Sequence, residues 1–183
     1  ISGGLTNRLG EGFGIAPYAD FSVIGGGMHN LLIGPGATIG GGVSNLIQGE
    51  VYQSFNGTIG GGLQNVISSG RGGTIGGGQE NRAGNLCGWD TVAGGLQNQG
   101  GGGYSAIGGG QGNIVVGDSD YGGGGPYSTI AGGRSNLAGL AWYGTIAGGS
   151  GNQITPNGIQ PFIVGGTIGG GEGNLVQRDY GTI

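Results

Sequence analysis

The side chains that could carry acid–base, nucleophilic or metal chemistry are few in this chain and lie far apart. Its 183 residues include one histidine, one cysteine, nine acidic residues and five arginines, with no lysine. His29 stands where nine similar segments of the chain have Ser, Gln, Glu, Gly or Thr, so we expect an exposed turn residue, not a general base or a metal ligand. Cys87 has no second cysteine for an intrachain disulfide or a zinc cluster, and a disulfide between two chains stays open.

One pair of acidic residues, Asp118 and Asp120 with Ser119 between them, lies in a Gly-rich insert and could offer oxygens to Ca²⁺. The spaced acidic set of an EF-hand or of calcium-binding repeats is absent, so we expect two solvated carboxylates. The Gly-Gly-Gly clusters open no predicted helix, and the patterns of P-loops, dinucleotide-binding loops and nucleophile elbows do not occur. We therefore predict that the chain is not an enzyme and has no catalytic residue, no metal and no cofactor.

The small number of charges also limits the classes of partner that the chain could bind. Only 8% of residues are charged and the formal net charge is −4. A chain so poor in cations cannot bind a phosphate backbone by counterion release, so we expect no nucleic-acid partner. No run of about 18 apolar residues occurs, and we expect no direct membrane insertion in this segment.

The feature that organises the chain is an eight-letter motif that recurs ten times and always ends in asparagine. The copies run ISGGLTN (lacking its first letter), VIGGGMHN, TIGGGVSN, TIGGGLQN, TIGGGQEN, TVAGGLQN, AIGGGQGN, TIAGGRSN, TIAGGSGN and TIGGGEGN. Successive asparagines are 15 to 23 residues apart. A unit that recurs at this interval is typical of stacked repeats, in which each unit contacts mainly its neighbours. The asparagines are Asn7, Asn30, Asn45, Asn65, Asn81, Asn98, Asn113, Asn136, Asn152 and Asn174.

Glycine accounts for 56 residues and proline for only 5, without the strict third-position glycine of collagen. Disorder is the other expectation for such a composition, but a disordered linker has no reason to place an aliphatic residue at the same motif position each time. These aliphatic residues are the predicted core: Ile24, Ile39, Ile59, Ile75, Val92, Ile107, Ile130, Ile146 and Ile168.

Alternation within segments such as Tyr127-Ser128-Thr129-Ile130-Ala131 indicates a strand with Ile pointing inward and Thr outward. A second strand follows each Asn, because the residue two places later is apolar in nine of ten copies, Gly100 being the exception. The segment from Asn to the next Thr position varies from 7 to 15 residues, which places every insertion at one corner. The predicted fold is all-β: a parallel β-solenoid (β-roll or β-helix) of about ten coils with two short strands each.

We expect a single repeat array over residues 1–183. Because the first and last motif copies are incomplete and no polar capping coil is evident, we expect a segment of a longer array. The coils begin near Ile1, Val23, Thr38, Thr58, Thr74, Thr91, Ala106, Thr129, Thr145 and Thr167.

The invariance of asparagine at the eighth motif position favours a structural role for this residue. A turn that merely tolerates Asn would also accept Asp, Ser or Gly, and none of these replaces it in ten copies. We predict a ladder in which stacked amides hydrogen-bond along the solenoid axis. The glycine clusters indicate turns and close backbone approach, and the thin core of each coil predicts lateral association of chains.

All 13 aromatic residues lie outside the motif. Six stand two places before the Thr position, and alternation puts them outward in an interrupted stripe, as a candidate interface. Two interpretations stay open: self-association, or adhesion to another surface or glycan. The longest inserts, 8–22, 114–128 and 153–166, are the places where a specific ligand is most plausible. The six aromatic residues are Phe21, Trp89, Tyr104, Tyr127, Tyr143 and Tyr180.

Segments such as TIGGGVSNLIQG and TIAGGRSNLAG resemble the head repeats of trimeric autotransporter adhesins, over nearly the whole chain. That resemblance implies a left-handed parallel β-roll in a trimer and a location at the cell surface or outside the cell. The period of 15 or more residues, the glycine runs and the asparagine depart from that family's pattern.

The first hypothesis for function is a structural one: a non-enzymatic, extracellular fibre or filament subunit whose partner is itself, as a homo-oligomer or an end-to-end filament. The alternative is an adhesin head or a phage tail-fibre module that binds a cell surface or a glycan. A third class, an ice-binding solenoid, is disfavoured because the residue two places after Thr is Gly or Ala instead of a second Thr.

Overall fold

The computed structural model describes residues 1–10, 21–48, 56–68, 72–84, 88–117, 127–159 and 161–183. Within these ranges 21 short strands pair in parallel and form two long sheets and one small sheet. The predicted parallel β-solenoid is confirmed, with each coil stacked on the next in chain order. Among the described residues, no helix has the length and hydropathy needed to span a bilayer.

The first long sheet consists of the Thr-Ile letters of the motif. β-Branched pairs suit an extended backbone, and alternation buries the second residue while the first points outward. The register places Ile24 opposite Ile39 and Ile39 opposite Ile59, so equivalent side chains stack along the axis. The nine strands within the described ranges are Val23–Ile24, Thr38–Ile39, Thr58–Ile59, Thr74–Ile75, Thr91–Val92, Ala106–Ile107, Thr129–Ile130, Thr145–Ile146 and Thr167–Ile168.

The second long sheet begins at the residue after each motif Asn. The second residue of the strand is buried in nine of the ten strands, while the first residue is half-buried or exposed in all of them. The ten strands within the described ranges are Arg8–Leu9, Leu31–Ile33, Leu46–Gln48, Val66–Ser68, Arg82–Ala83, Gln99–Gly101, Ile114–Val116, Leu137–Gly139, Gln153–Ile154 and Leu175–Val176.

A third hydrogen-bonded row, which the two-strand prediction did not include, runs through the sixth motif letter. Here single residues pair in parallel as isolated bridges, for example Val43 with Leu63. The row does not lengthen into strands, because both neighbours of each bridging residue have positive φ and turn the chain. Two longer inserts add a small sheet of their own, in which Ala141–Trp142 pairs with Ile163–Val164.

The core lies between the two long sheets, with one aliphatic column from each. All nine predicted core residues of the first sheet are buried, each with at most 1% of its surface exposed. The facing column is the inward residue two places after Asn. Its buried aliphatic members are Leu32, Ile47, Ile67, Ala83, Val115, Ala138, Ile154 and Val176.

Gly100, the exception in the sequence pattern, has a physical explanation in this core. A Cβ added at Gly100 would lie 3.1 Å from Ser105 Oγ and 3.5 Å from Asp90 Cβ. Asp90 and Ser105 are buried, and Asp90 Oδ1 accepts hydrogen bonds from the Ser105 amide (2.9 Å) and hydroxyl (2.6 Å). The space of the missing aliphatic side chain therefore holds a polar pair, in which Asp90 Oδ2 has no hydrogen-bond partner among the described residues.

Candidate functional site

The turn that carries each asparagine is built from two left-handed positions. The fifth motif letter is glycine in every coil, with φ between 86° and 96°. A Cβ at Gly62 would overlap the carbonyl oxygen of Gly78 in the next coil and lie 2.7 Å from Asn65 Nδ2. The seventh letter, just before Asn, also has positive φ, between 54° and 66°, although it is often a non-glycine residue. Together these positions turn the chain so that the Asn side chain points inward.

Asn65 shows the hydrogen bonding at one step of the ladder. Its Nδ2 donates to Gly61 O in its own coil (2.9 Å) and to Gly78 O in the next coil (3.0 Å). Its Oδ1 accepts the backbone N–H of Asn81 (3.0 Å) and lies 3.1 Å from Asn81 Nδ2. The carboxamide therefore closes its own turn and joins it to the coil above.

The same bonds repeat along the chain, so the ladder is continuous from Asn7 to Asn174. At every step the backbone N–H of one asparagine donates to Oδ1 of the preceding one, at 2.9 to 3.1 Å. Every Nδ2 also donates to the glycine carbonyl four residues earlier, at 2.8 to 3.0 Å. The eight inner asparagines are buried, and the two at the ends are half-buried.

Only asparagine among the small polar residues fits these contacts. The site needs one acceptor and two donated hydrogens within a short side chain. Aspartate has no donor when ionised and serine has a single hydrogen, while glutamine places its amide one methylene farther out. The ladder is thus a network of hydrogen bonds in a buried, low-dielectric environment. In such an environment, hydrogen bonds of a fully satisfied network strengthen one another.

The candidate interface residues are exposed but do not form one continuous surface. Tyr104, Tyr127 and Tyr143 stack as a column, with ring centroids 4.9 Å and 5.4 Å apart and interplanar angles of 14° and 6°. Trp89 leans over Gly72 in the preceding coil, where an added Cβ would overlap its ring. Tyr180 likewise covers Gly165, whose Cβ would lie 2.8 Å from Tyr180 Cδ1. Phe21 is 95% exposed.

A row of aliphatic side chains on the outward face of the second sheet is a feature that the sequence interpretation missed. It is formed by the residue directly after each motif Asn, which is Leu, Val or Ile in six of ten coils. The register aligns these residues along the axis, as Leu31 with Leu46 and Leu46 with Val66. The signal for this row in the sequence is the apolar residue directly after Asn, which adjoins the inward apolar residue one place later. The outer aliphatic row consists of Leu31, Leu46, Val66, Ile114, Leu137 and Leu175, which are half-buried or exposed.

Among the residues that the structure describes, those with acid–base or metal-binding side chains are not brought together. His29 is exposed in a left-handed turn with φ of 57°. Hydrogen bonds from Gln97 and Gln79 lower the pKa of the exposed Glu80 carboxyl. Among the described residues no group of three or more His, Cys, Asp or Glu side chains could hold a metal ion.

Four residues with candidate chemistry lie outside the described residues. They are Cys87, Asp118, Ser119 and Asp120.

Comparison with protein-family models and with curated proteins gives no match to this chain. The resemblance to trimeric autotransporter heads therefore stays a prediction from the repeat letters.

Proposed function

We propose that the chain is a non-enzymatic structural protein, a stiff rod that acts as part of an extracellular fibre or filament. The observation that carries this proposal is the unbroken asparagine ladder, which runs through all ten coils beside two in-register parallel sheets. Each coil is held to the next by main-chain hydrogen bonds on several sides and by a buried carboxamide. Bending or opening such a stack breaks many bonds at once, so stiffness and resistance to proteases follow from this construction.

Lateral self-association is the second part of the proposal, and the outer aliphatic row supports it. Each coil contributes only one inward side chain from each long sheet, so its core is thin and little apolar surface is buried per residue. The outer aliphatic row adds apolar surface that a neighbouring copy would cover, with Leu175 47% exposed and Leu31, Leu46 and Val66 half-buried. Two runs of this row, Leu31 to Val66 and Ile114 to Leu137, are separated by the polar residues Arg82 and Gln99.

We expect the double substitution Leu46→Gln with Val66→Gln to dissociate the assembly while the solenoid stays folded. Both side chains point away from the core, so their replacement removes apolar contact between copies and leaves the inward columns intact. Sedimentation velocity with circular dichroism measures the two properties separately. Arg82→Gln, in the same row, is the matched control and is expected to leave the sedimentation profile unchanged.

Two results would refute this function. A wild-type chain that sediments as a monomer at every accessible concentration contradicts lateral association. Compact particles instead of elongated ones in electron micrographs contradict the rod.

A second candidate function is a surface-binding module of the adhesin or tail-fibre kind. The specific observation in its favour is the exposed column of Tyr104, Tyr127 and Tyr143, which contributes nothing to the buried core.

A further inference from the structure

The stacked tyrosine column leaves a particular surface free. Because the three rings lie nearly parallel, neighbouring rings cover each other's faces, and the exposed surface of the middle ring consists mainly of its edge. Tyr104, Tyr127 and Tyr143 are 39%, 47% and 54% exposed. A surface of this kind suits a hydroxyl-rich partner better than an apolar protein face, which would need the covered ring faces.

Two further properties of the surface around the column limit the chemical class of its partner. Thr129 and Thr145 are exposed on the same coils as Tyr127 and Tyr143, which adds a second row of hydroxyl groups parallel to the first. Charge is nearly absent: within 88–117 and 127–159, the charged residues are Asp90, which is fully buried, and Arg134, which lies in the row of isolated bridges. An anionic polymer therefore has no cations to bind along this face.

The spacing of the rings favours a polymer that repeats once per coil. The ring centroids repeat at 4.9 Å and 5.4 Å, once per coil. An extended peptide strand repeats its same-face side chains at about 6.6 Å, which does not match one unit per coil. A fully extended β-1,4-linked hexose chain advances by nearly the coil spacing with each sugar, so each sugar would meet one tyrosine edge.

We infer that Tyr104, Tyr127 and Tyr143 bind an extended, uncharged β-linked polysaccharide that lies along the solenoid axis. The phenol hydroxyls donate to and accept from the sugar hydroxyls, and the Thr row extends the contact on one side. This inference rests on the second candidate function and does not depend on the proposed self-association.

Isothermal titration calorimetry with cellohexaose, a soluble β-1,4-linked hexasaccharide, tests the inference on the full chain. The triple substitution of Tyr104, Tyr127 and Tyr143 by Phe keeps the ring stack but removes the hydroxyl groups. Loss of three hydrogen bonds is expected to weaken cellohexaose binding by about tenfold or more. Tyr180→Phe, which changes a tyrosine outside the stack, is expected to leave the affinity unchanged. Maltohexaose, whose α-linkages curve the chain, is expected to bind weakly or not at all.

The inference is wrong if the wild-type chain does not bind cellohexaose, if it binds maltohexaose equally well, or if the triple Phe variant binds cellohexaose with unchanged affinity. A triple Phe variant that changes only the sedimentation profile would assign the column to contact between copies, and this also overturns the inference. The Leu46→Gln with Val66→Gln experiment changes other side chains and does not involve cellohexaose, so failure of the two proposals can be told apart.

Discussion

Asn65→Ala is expected to lower the free energy of unfolding by about 2–6 kcal/mol, because one buried group and one partly buried group lose their hydrogen-bond partner in the protein. The Asn81 backbone N–H loses its acceptor, Asn65 Oδ1, and the Gly61 carbonyl loses its donor, Asn65 Nδ2. Gly78 O loses the hydrogen bond from Asn65 Nδ2 but keeps the one from the Leu63 amide, so this oxygen stays partly satisfied. Equilibrium unfolding in guanidinium chloride, followed by circular dichroism, measures the change.

Asn157→Ala is the matched control for this prediction. Asn157 is exposed and its Oδ1 accepts one local hydrogen bond, from the Ile159 amide at 3.1 Å. Its replacement is expected to cost less than about 1 kcal/mol. Equal effects of the two substitutions would mean that the ladder contributes no more to stability than an exposed turn.

Gly78→Ala is expected to destabilise the solenoid by about 3–6 kcal/mol, while Gly77→Ala in the same turn changes its stability by less than about 1 kcal/mol. Gly78 has φ of 86°, and a Cβ there would overlap Gly95 O in the next coil and lie 2.7 Å from Asn81 Nδ2. Gly77 is not in the left-handed region, and a Cβ there would meet nothing within 4 Å. Thermal and denaturant unfolding of both variants gives the comparison.

This pair separates two roles of glycine that look identical in the sequence. The fifth motif letter must be glycine for the coils to stack at all, whereas the fourth letter faces open space in this coil. A loss of stability at Gly77→Ala as large as that at Gly78→Ala would contradict the turn geometry described above.

The sequence predicts the fold well because the features that determine it repeat. The alternation around Thr-Ile recurs along the chain, and the asparagine is present in all ten copies of the motif. A pattern repeated so often does not arise by chance. The location of insertions at one corner follows from segment lengths alone. The buried inward column and the direction of the Thr row need no further information, because a period of two residues assigns the faces of a strand.

Other features depend on contacts between coils, which single motif letters do not encode. Trp89 and Tyr180 lean over glycines in the preceding coil, while Tyr127 and Tyr143 meet a ring there, so the same position gives different surfaces. The row of isolated bridges arises because the residues on both sides of the bridging residue have positive φ. At the seventh motif letter this residue is often not glycine, so the sequence does not predict its positive φ. The buried Asp90 has room because Gly100, ten residues later, lacks the aliphatic side chain found at that position in other coils.

The central claim, that buried carboxamides join successive coils, is tested most directly by hydrogen exchange of the asparagine side-chain amides, resolved by nuclear magnetic resonance. The eight buried ladder asparagines, from Asn30 to Asn152, are expected to exchange as slowly as the backbone amides of the long sheets, because only opening of the coils exposes them to water. The exposed side chains of Asn56 and Asn157 serve as internal references and are expected to exchange fast. Ladder amides that exchange as fast as that of Asn157 would contradict the account.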